Sequence, residues 1–125
     1  MNHTNTPNIL VVDDTPANLI AMRTVLRGMA INIFEAHSGN DALALMLRER
    51  VDLVLMDVKM PGMDGYETAL CLSELEEYAD IPVVFVTGND SAANSCHEKF
   101  RAAPHIFKPF AQEDLKDVVK RILQC

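Results

Sequence analysis

Long apolar runs are missing from this sequence. No stretch approaches the roughly 20 residues of a membrane-spanning helix, so no membrane span is expected. The N-terminus, MNHTNTPN, is polar and lacks an apolar signal core, which points to a cytoplasmic protein. Positive charge is scarce: 11 Lys and Arg face 18 Asp and Glu, for a net charge of −7. A nucleic-acid backbone would be repelled, so direct nucleic-acid binding is not expected. Cysteine is limited to Cys71, Cys96 and Cys125. An odd count without paired spacing argues against a disulfide framework or a zinc ribbon and for reduced thiols. The terminal Cys125 is open to adventitious dimerisation under oxidising conditions. Internal repeats, low-complexity tracts and interdomain linkers are absent too. One domain over 1–125 is expected, with a polar tail at 1–7 and a folded core at 8–124.

What is present suits a packed globular core, since 49% of the residues are hydrophobic and 23% charged. The most informative stretch is LVLMDVKMPGMDG, from Leu53 to Gly65. Its first four residues form a short, wholly apolar run, which suits a strand covered on both faces. The run ends abruptly in Asp57. Pro61, Gly62, Asp64 and Gly65 then mark a tight loop. A carboxylate is thus placed at the C-terminal end of a buried strand, where open α/β sheets bind ligands.

The remaining elements fall around it. Ile9 to Val12 reads as a second buried strand, ending in Asp13 and Asp14. Thr15 and Pro16 read as a helix start, a capping hydroxyl followed by proline at the first helical position. Leu19, Met22, Val25, Leu26 and Met29 continue at helical spacing. Ile31 to Ala36 alternates as a strand near the sheet edge. Ala42, Leu43, Met46 and Leu47 give a second helix after a cap at 38–41. A third helix is expected from Tyr66 to Tyr78, with an acidic, solvated face. Pro82 to Val86 reads as a buried strand ending at Thr87, and Asp90 to Phe100 as a weaker helix. His105 to Phe107 reads as a short strand ending at Lys108-Pro109. Leu115, Val118, Val119, Ile122 and Leu123 form the stripe of a last helix. The order βαβαβαβαβα predicts a doubly wound α/β fold with five parallel strands and five helices.

In a parallel sheet all strand C-termini share one edge. Asp13, Asp14, Asp57, Thr87 and Lys108 are therefore expected to converge. Each alone has an ordinary reading: a helix cap, a turn, a strand-end hydroxyl, a solvated lysine. Together they make a site. Three close carboxylates repel, and a proton or a divalent cation would relieve them. Oxygen ligands favour a hard cation such as Mg²⁺. A carboxylate beside a metal, a lysine and a hydroxyl suits the acceptance of a phosphoryl group.

The segments VVDD, LMDVKMPGMDG, VTG and KPF, in this order, resemble those of bacterial two-component response-regulator receiver domains. The likeness spans Asn8 to Leu123. It implies a flavodoxin-like sheet in the order 2-1-3-4-5, taken over from the family. It makes Asp57 the phosphoacceptor. Asp14, Asp57 and the backbone carbonyl of Lys59 would ligate Mg²⁺, and Asp13 would act through a metal-bound water. Lys108 would pair with the phosphoryl group, Pro109 would follow a cis peptide bond, and Thr87 would bond the phosphoryl oxygens. His105 takes the family's switch position. The implied partners are a sensor histidine kinase or a histidine phosphotransfer protein, and a downstream effector domain or protein; homodimerisation stays open.

Three departures stand out. Position 105 is usually Tyr or Phe, and an imidazole makes a weaker or pH-sensitive ring movement the expectation. Arg101-Ala102 replaces the usual Gly-Ala, and the interval from Thr87 to Lys108 is one residue short. Gly88 fits the family's need for room. An aspartyl-phosphate hydrolase is the enzymatic alternative. It would want a second Asp two residues after the nucleophile, where this chain has Thr15, Pro16 and Lys59. A receiver-like docking module without phosphorylation is the third reading, and the full acidic set argues against it.

Overall fold

The computed structural model describes residues 6–88, 100 and 103–123. Its centre is built by the two most apolar runs of the sequence, β1 (Asn8–Val12) and β3 (Leu53–Asp57). Apart from Asn8, every residue of both is buried. They lie beside β2 (Asn32–Ala36), β4 (Val83–Thr87) and β5 (His105–Phe107). All four pairings are parallel, and the sheet order is β2-β1-β3-β4-β5. The wholly apolar runs go to the centre because only there are both faces covered.

Helices cover the two faces. α1 (Pro16–Leu26) and α4 (Gln112–Leu123) pack with Ile9, Val11, Leu53, Leu55, Val84, Val86 and Ile106. α2 (Gly39–Met46) and α3 (Gly65–Ser73) pack with Leu10, Val12, Val54, Met56 and Phe85. Alternate strand residues serve opposite faces, as the period of two requires. That parity carries into the site. Asp13, Asp57 and Lys108 each follow by two a residue of the α1/α4 face: Val11, Leu55 and Ile106. Thr87 and His105 have the parity of Phe85 and the other face.

The expected last stripe is observed. Leu115 and Val119 are fully buried, with Val118, Ile122 and Leu123 packed beside them. Acids open α4 and Lys120 and Arg121 close it, matching the helix dipole. Two helices differ from expectation. α3 ends at Ser73, not Tyr78, and continues as i→i+3 turns through Leu75 and Tyr78. Glu74, Glu76 and Glu77 would put negative charge at the negative end of a longer helix, with no basic residue in its last turn. Thr15 is the N-cap of α1 but makes no side-chain cap bond; the Asp13 carboxylate accepts from the Thr15 N–H instead. Of the helix expected from Asp90 to Phe100, only Phe100 lies within the described residues. Arg101-Ala102, Cys96, His97 and Cys125 lie outside them.

The loop after β3 is pinned tightly. Gly65 N–H donates to the Val58 carbonyl at 2.8 Å. A Cβ on Gly65 would overlap the Asp57 carbonyl oxygen and lie 2.9 Å from Val58 Cα, both backbone atoms. Asp64 and Glu67 close the helix start with a capping box. Gly65→Ala is expected to lower the urea midpoint at unchanged slope, by about 1–3 kcal/mol of stability. A variant as stable as the parent would show that the loop can move away from Asp57.

Candidate functional site

Asp57 is the last residue of β3, and Asp13 and Asp14 follow β1 directly. Lys108 follows β5, and its backbone N–H donates to the Thr87 carbonyl at 2.8 Å. The central strands β1 and β3 and the edge strand β5 thus deliver these side chains to one rim. The Lys108 ammonium donates to Asp13 Oδ2 and to Asp57 Oδ1, each at 3.1 Å. Asp13 is wholly buried and Asp57 nearly so, at 5% exposure. Asp14 is exposed. Oxygens of Asp13, Asp14 and Asp57 lie within 4.8 Å of one another.

The electrostatics are unbalanced. Three carboxylates against one ammonium leave two negative charges in a partly dry site. Burial, and next the Asp13 charge, push the Asp57 carboxyl up from 3.8 to about 6. Lys108 opposes this by charge and hydrogen bond, and Asp14 adds to it. Burial works against the Lys108 ammonium too. The Asp13 hydrogen bond and the charges of Asp57 and Asp13 outweigh burial, so the lysine pKa is raised above 10.5.

The three acids do not have equal freedom. Asp13 Oδ1 accepts from Thr15 N–H at 2.9 Å and from Asn18 Nδ2 at 3.3 Å, while Oδ2 takes Lys108. Asp14 makes no hydrogen bond among the described residues. An open pocket of about 450 Å³ is lined by Asp14, Thr15, Asn18, Asp57, Lys59, Gly88 and Lys108. A Cβ on Gly88 would meet only Lys108 Cβ, at 3.9 Å, so there is room beside the lysine. Oxygen donors in an acidic pocket two charges short of neutral suit a hard divalent cation.

Of the residues singled out in the sequence, Asp13, Asp14, Asp57, Lys59 and Lys108 meet here. Thr87 is buried at the end of β4 and does not line this pocket. The Lys108–Pro109 peptide bond is cis. Pro109 lines a separate groove of about 640 Å³ between α1 and the start of α4. His105 lies on the other face, tilted against Phe85 at 5.1 Å between ring centroids and against Tyr66 at 5.9 Å. Its Nδ1 is 2.8 Å from the Ala103 carbonyl, which can only accept, so Nδ1 carries a proton. In the neutral ring Nε2 then accepts from the Tyr66 hydroxyl at 2.9 Å. Asn18 and Tyr66 were not among the residues expected at the site from the sequence. The clue for Asn18 was its place in the first turn after Thr15, which returns its side chain toward the strand edge.

The strand order and the acidic rim define a flavodoxin-like α/β protein. The chain belongs to the response regulator receiver domain family, whose model matches residues 9–120. It is 32% identical over 116 residues to protein PilH of Pseudomonas aeruginosa, covering 92% of this chain and 96% of that one. It is 33% identical over 115 residues to sporulation initiation phosphotransferase F of Bacillus subtilis, covering 92% of each. Other relatives are much longer; in one sensor protein the match spans 13% of the length. The solved structure of response regulator protein TrrA from Thermotoga maritima, in complex with Mg(2+)-BeF, matches with a TM-score of 0.83 at 28% identity. That match covers 94% of this chain and 99% of the other.

The Asp57 shift has a consequence for stability. Folded Asp57 keeps its proton to higher pH than the unfolded chain does, so folding is disfavoured progressively as pH rises from 3.8 through about 6. In metal-free buffer, Asp57→Asn should raise the melting temperature at about pH 8 and lose that gain near pH 4. An equal gain at both would show that the buried charge is not its source.

Proposed function

We propose that this chain is a phosphoacceptor switch, in which Asp57 takes a phosphoryl group from a phosphohistidine. The supporting observation is the Lys108 ammonium shared between Asp13 and Asp57 at 3.1 Å each, beside an open acidic pocket. Lys108 holds one oxygen of Asp57 and leaves the other for bond formation. A P–O bond forms to Asp57 as the P–N bond of the phosphohistidine breaks, and the imidazole leaves with the electron pair. Lys108 then follows the new negative charge, as a lysine does in phosphoryl-transfer sites. Thr87, at the end of the adjacent strand, would supply a hydroxyl to the phosphoryl oxygens. Asp14, Asp57 and the Lys59 carbonyl would hold Mg²⁺. Mg²⁺ would supply the two missing positive charges, keep Asp57 ionised at neutral pH and offset charge on the phosphoryl oxygens.

The donor would be a sensor histidine kinase or a histidine phosphotransfer protein, and the setting the cytoplasm. The reading is of one receiver domain whose state an effector domain or protein reads. A hydrolase of general phosphomonoesters is disfavoured because no second aspartate stands two residues after Asp57. Intact mass after acetyl phosphate and Mg²⁺ tests the proposal. One phosphoryl mass is expected on the parent and none on Asp57→Asn. Steady turnover of a simple phosphomonoester, or equal labelling of both proteins, would overturn it.

His105 would relay the change. Its ring is held inward by Ala103 and Tyr66 and packed on Phe85. Phosphorylation would have to break or re-aim those bonds. Tyr66→Phe removes a hydrogen bond worth about 1 kcal/mol, or roughly a fivefold shift of the inward population. Ring contacts between His105 and Phe85, read by NMR in the unphosphorylated protein, should weaken. Unchanged contacts would show that Phe85 packing alone holds the ring.

A further inference from the structure

We infer that Asn18 is a positioning residue that holds Asp13 to its supporting role and keeps Asp14 and Asp57 for the cation; this rests on the function proposed above. Apart from Lys108, Asn18 is the one side-chain donor to the three acids among the described residues. It reaches Asp13 Oδ1 at 3.3 Å, the oxygen that also takes the Thr15 N–H at 2.9 Å. Lys108 holds the other oxygen at 3.1 Å. An ionised carboxylate offers about four lone-pair positions, and three are filled by protein donors. Donors on both oxygens fix the plane of the carboxylate. Asp13 is thereby committed to Lys108, and Lys108 in turn to Asp57 Oδ1.

The location of Asn18 fits that role. It lies in the first turn of α1 and lines both the acidic pocket and the neighbouring groove. It stands at the wall between them, half-buried. An amide there donates without adding charge. A carboxylate would add repulsion to three existing acids, and an ammonium would compete with the cation. With Asn18 removed, Asp13 keeps its charge but gains freedom to turn toward the pocket. Lys108 then loses a fixed anchor, and Asp57 loses the geometry that Lys108 imposes. Partners of this kind, which orient a metal site without ligating, typically change affinity or activity by about 10- to 100-fold.

The test uses the full chain. Mg²⁺ affinity is read by calorimetry on the unphosphorylated protein, labelling of Asp57 by intact mass with acetyl phosphate, and melting temperature in parallel. Asn18→Ala is expected to weaken Mg²⁺ binding about tenfold and to slow labelling at subsaturating Mg²⁺. Its melting temperature should fall only modestly, since the lost donor to buried Asp13 is partly offset by the better helix propensity of alanine. Asn18→Gln, which keeps an amide donor, should recover part of the loss. In an Asp13→Ala background the Asn18 substitution should change Mg²⁺ affinity by less than about twofold. Wild-type affinity in Asn18→Ala, or no recovery in Asn18→Gln, would overturn the inference. So would an equal loss with and without Asp13. Failure of the parent chain to bind Mg²⁺ or to label would instead count against the proposed function itself.

Discussion

One ammonium shared by two buried carboxylates organises the rim of this protein. Lys108 reaches Asp13 and Asp57 at the same distance, 3.1 Å. Removing it would leave both acids short of their one cationic partner among the described residues, and losing one partner of such a buried group costs several kcal/mol. Yet Lys108 does not complete the balance. Burial and the neighbouring acids still push the Asp57 carboxyl to about 6. The fold therefore holds a site short of positive charge, which suits a divalent cation. Stability is sacrificed there, as it often is where chemistry is done.

The sheet divides the labour between its two faces. Asp13, Asp57 and Lys108 share the parity of the α1/α4 core, and Thr87 and His105 that of the α2/α3 core. The two sets are joined through β4 and β5. Thr87 pairs in register with Phe107, and the Thr87 carbonyl holds the Lys108 N–H. One strand pair thus separates the rim from the opposite face. The tight packing of Gly65 on the Asp57 and Val58 backbone makes the β3 side of the site stiff.

His105 shows how a departure from the family pattern is accommodated. A phenyl ring at that position needs no polar partner. An imidazole does, and this structure supplies two, the Ala103 carbonyl and the Tyr66 hydroxyl. The ring can then sit against Phe85 without leaving a buried polar atom unpaired. The inward position is held by directional bonds as well as by packing.

The apolar runs ILVV and LVLM by themselves determined two central strands, because only full burial on both faces accommodates them. The alternation of strands and helices determined a parallel sheet, and a parallel sheet determined that Asp13, Asp14, Asp57 and Lys108 meet. Helix ends were less legible: α3 stops at Ser73 because a cluster of glutamates opposes the dipole, although the apolar spacing runs on. Tertiary structure alone decided which acid holds the most donors, that Asn18 supplies one of them, and that Tyr66 meets His105 39 residues away. Hydrophobic periodicity is a local, additive signal that a sequence carries in plain form. Hydrogen-bond partners depend on distances of a few tenths of an ångström between segments remote in the chain, and those exist only once the core has set them.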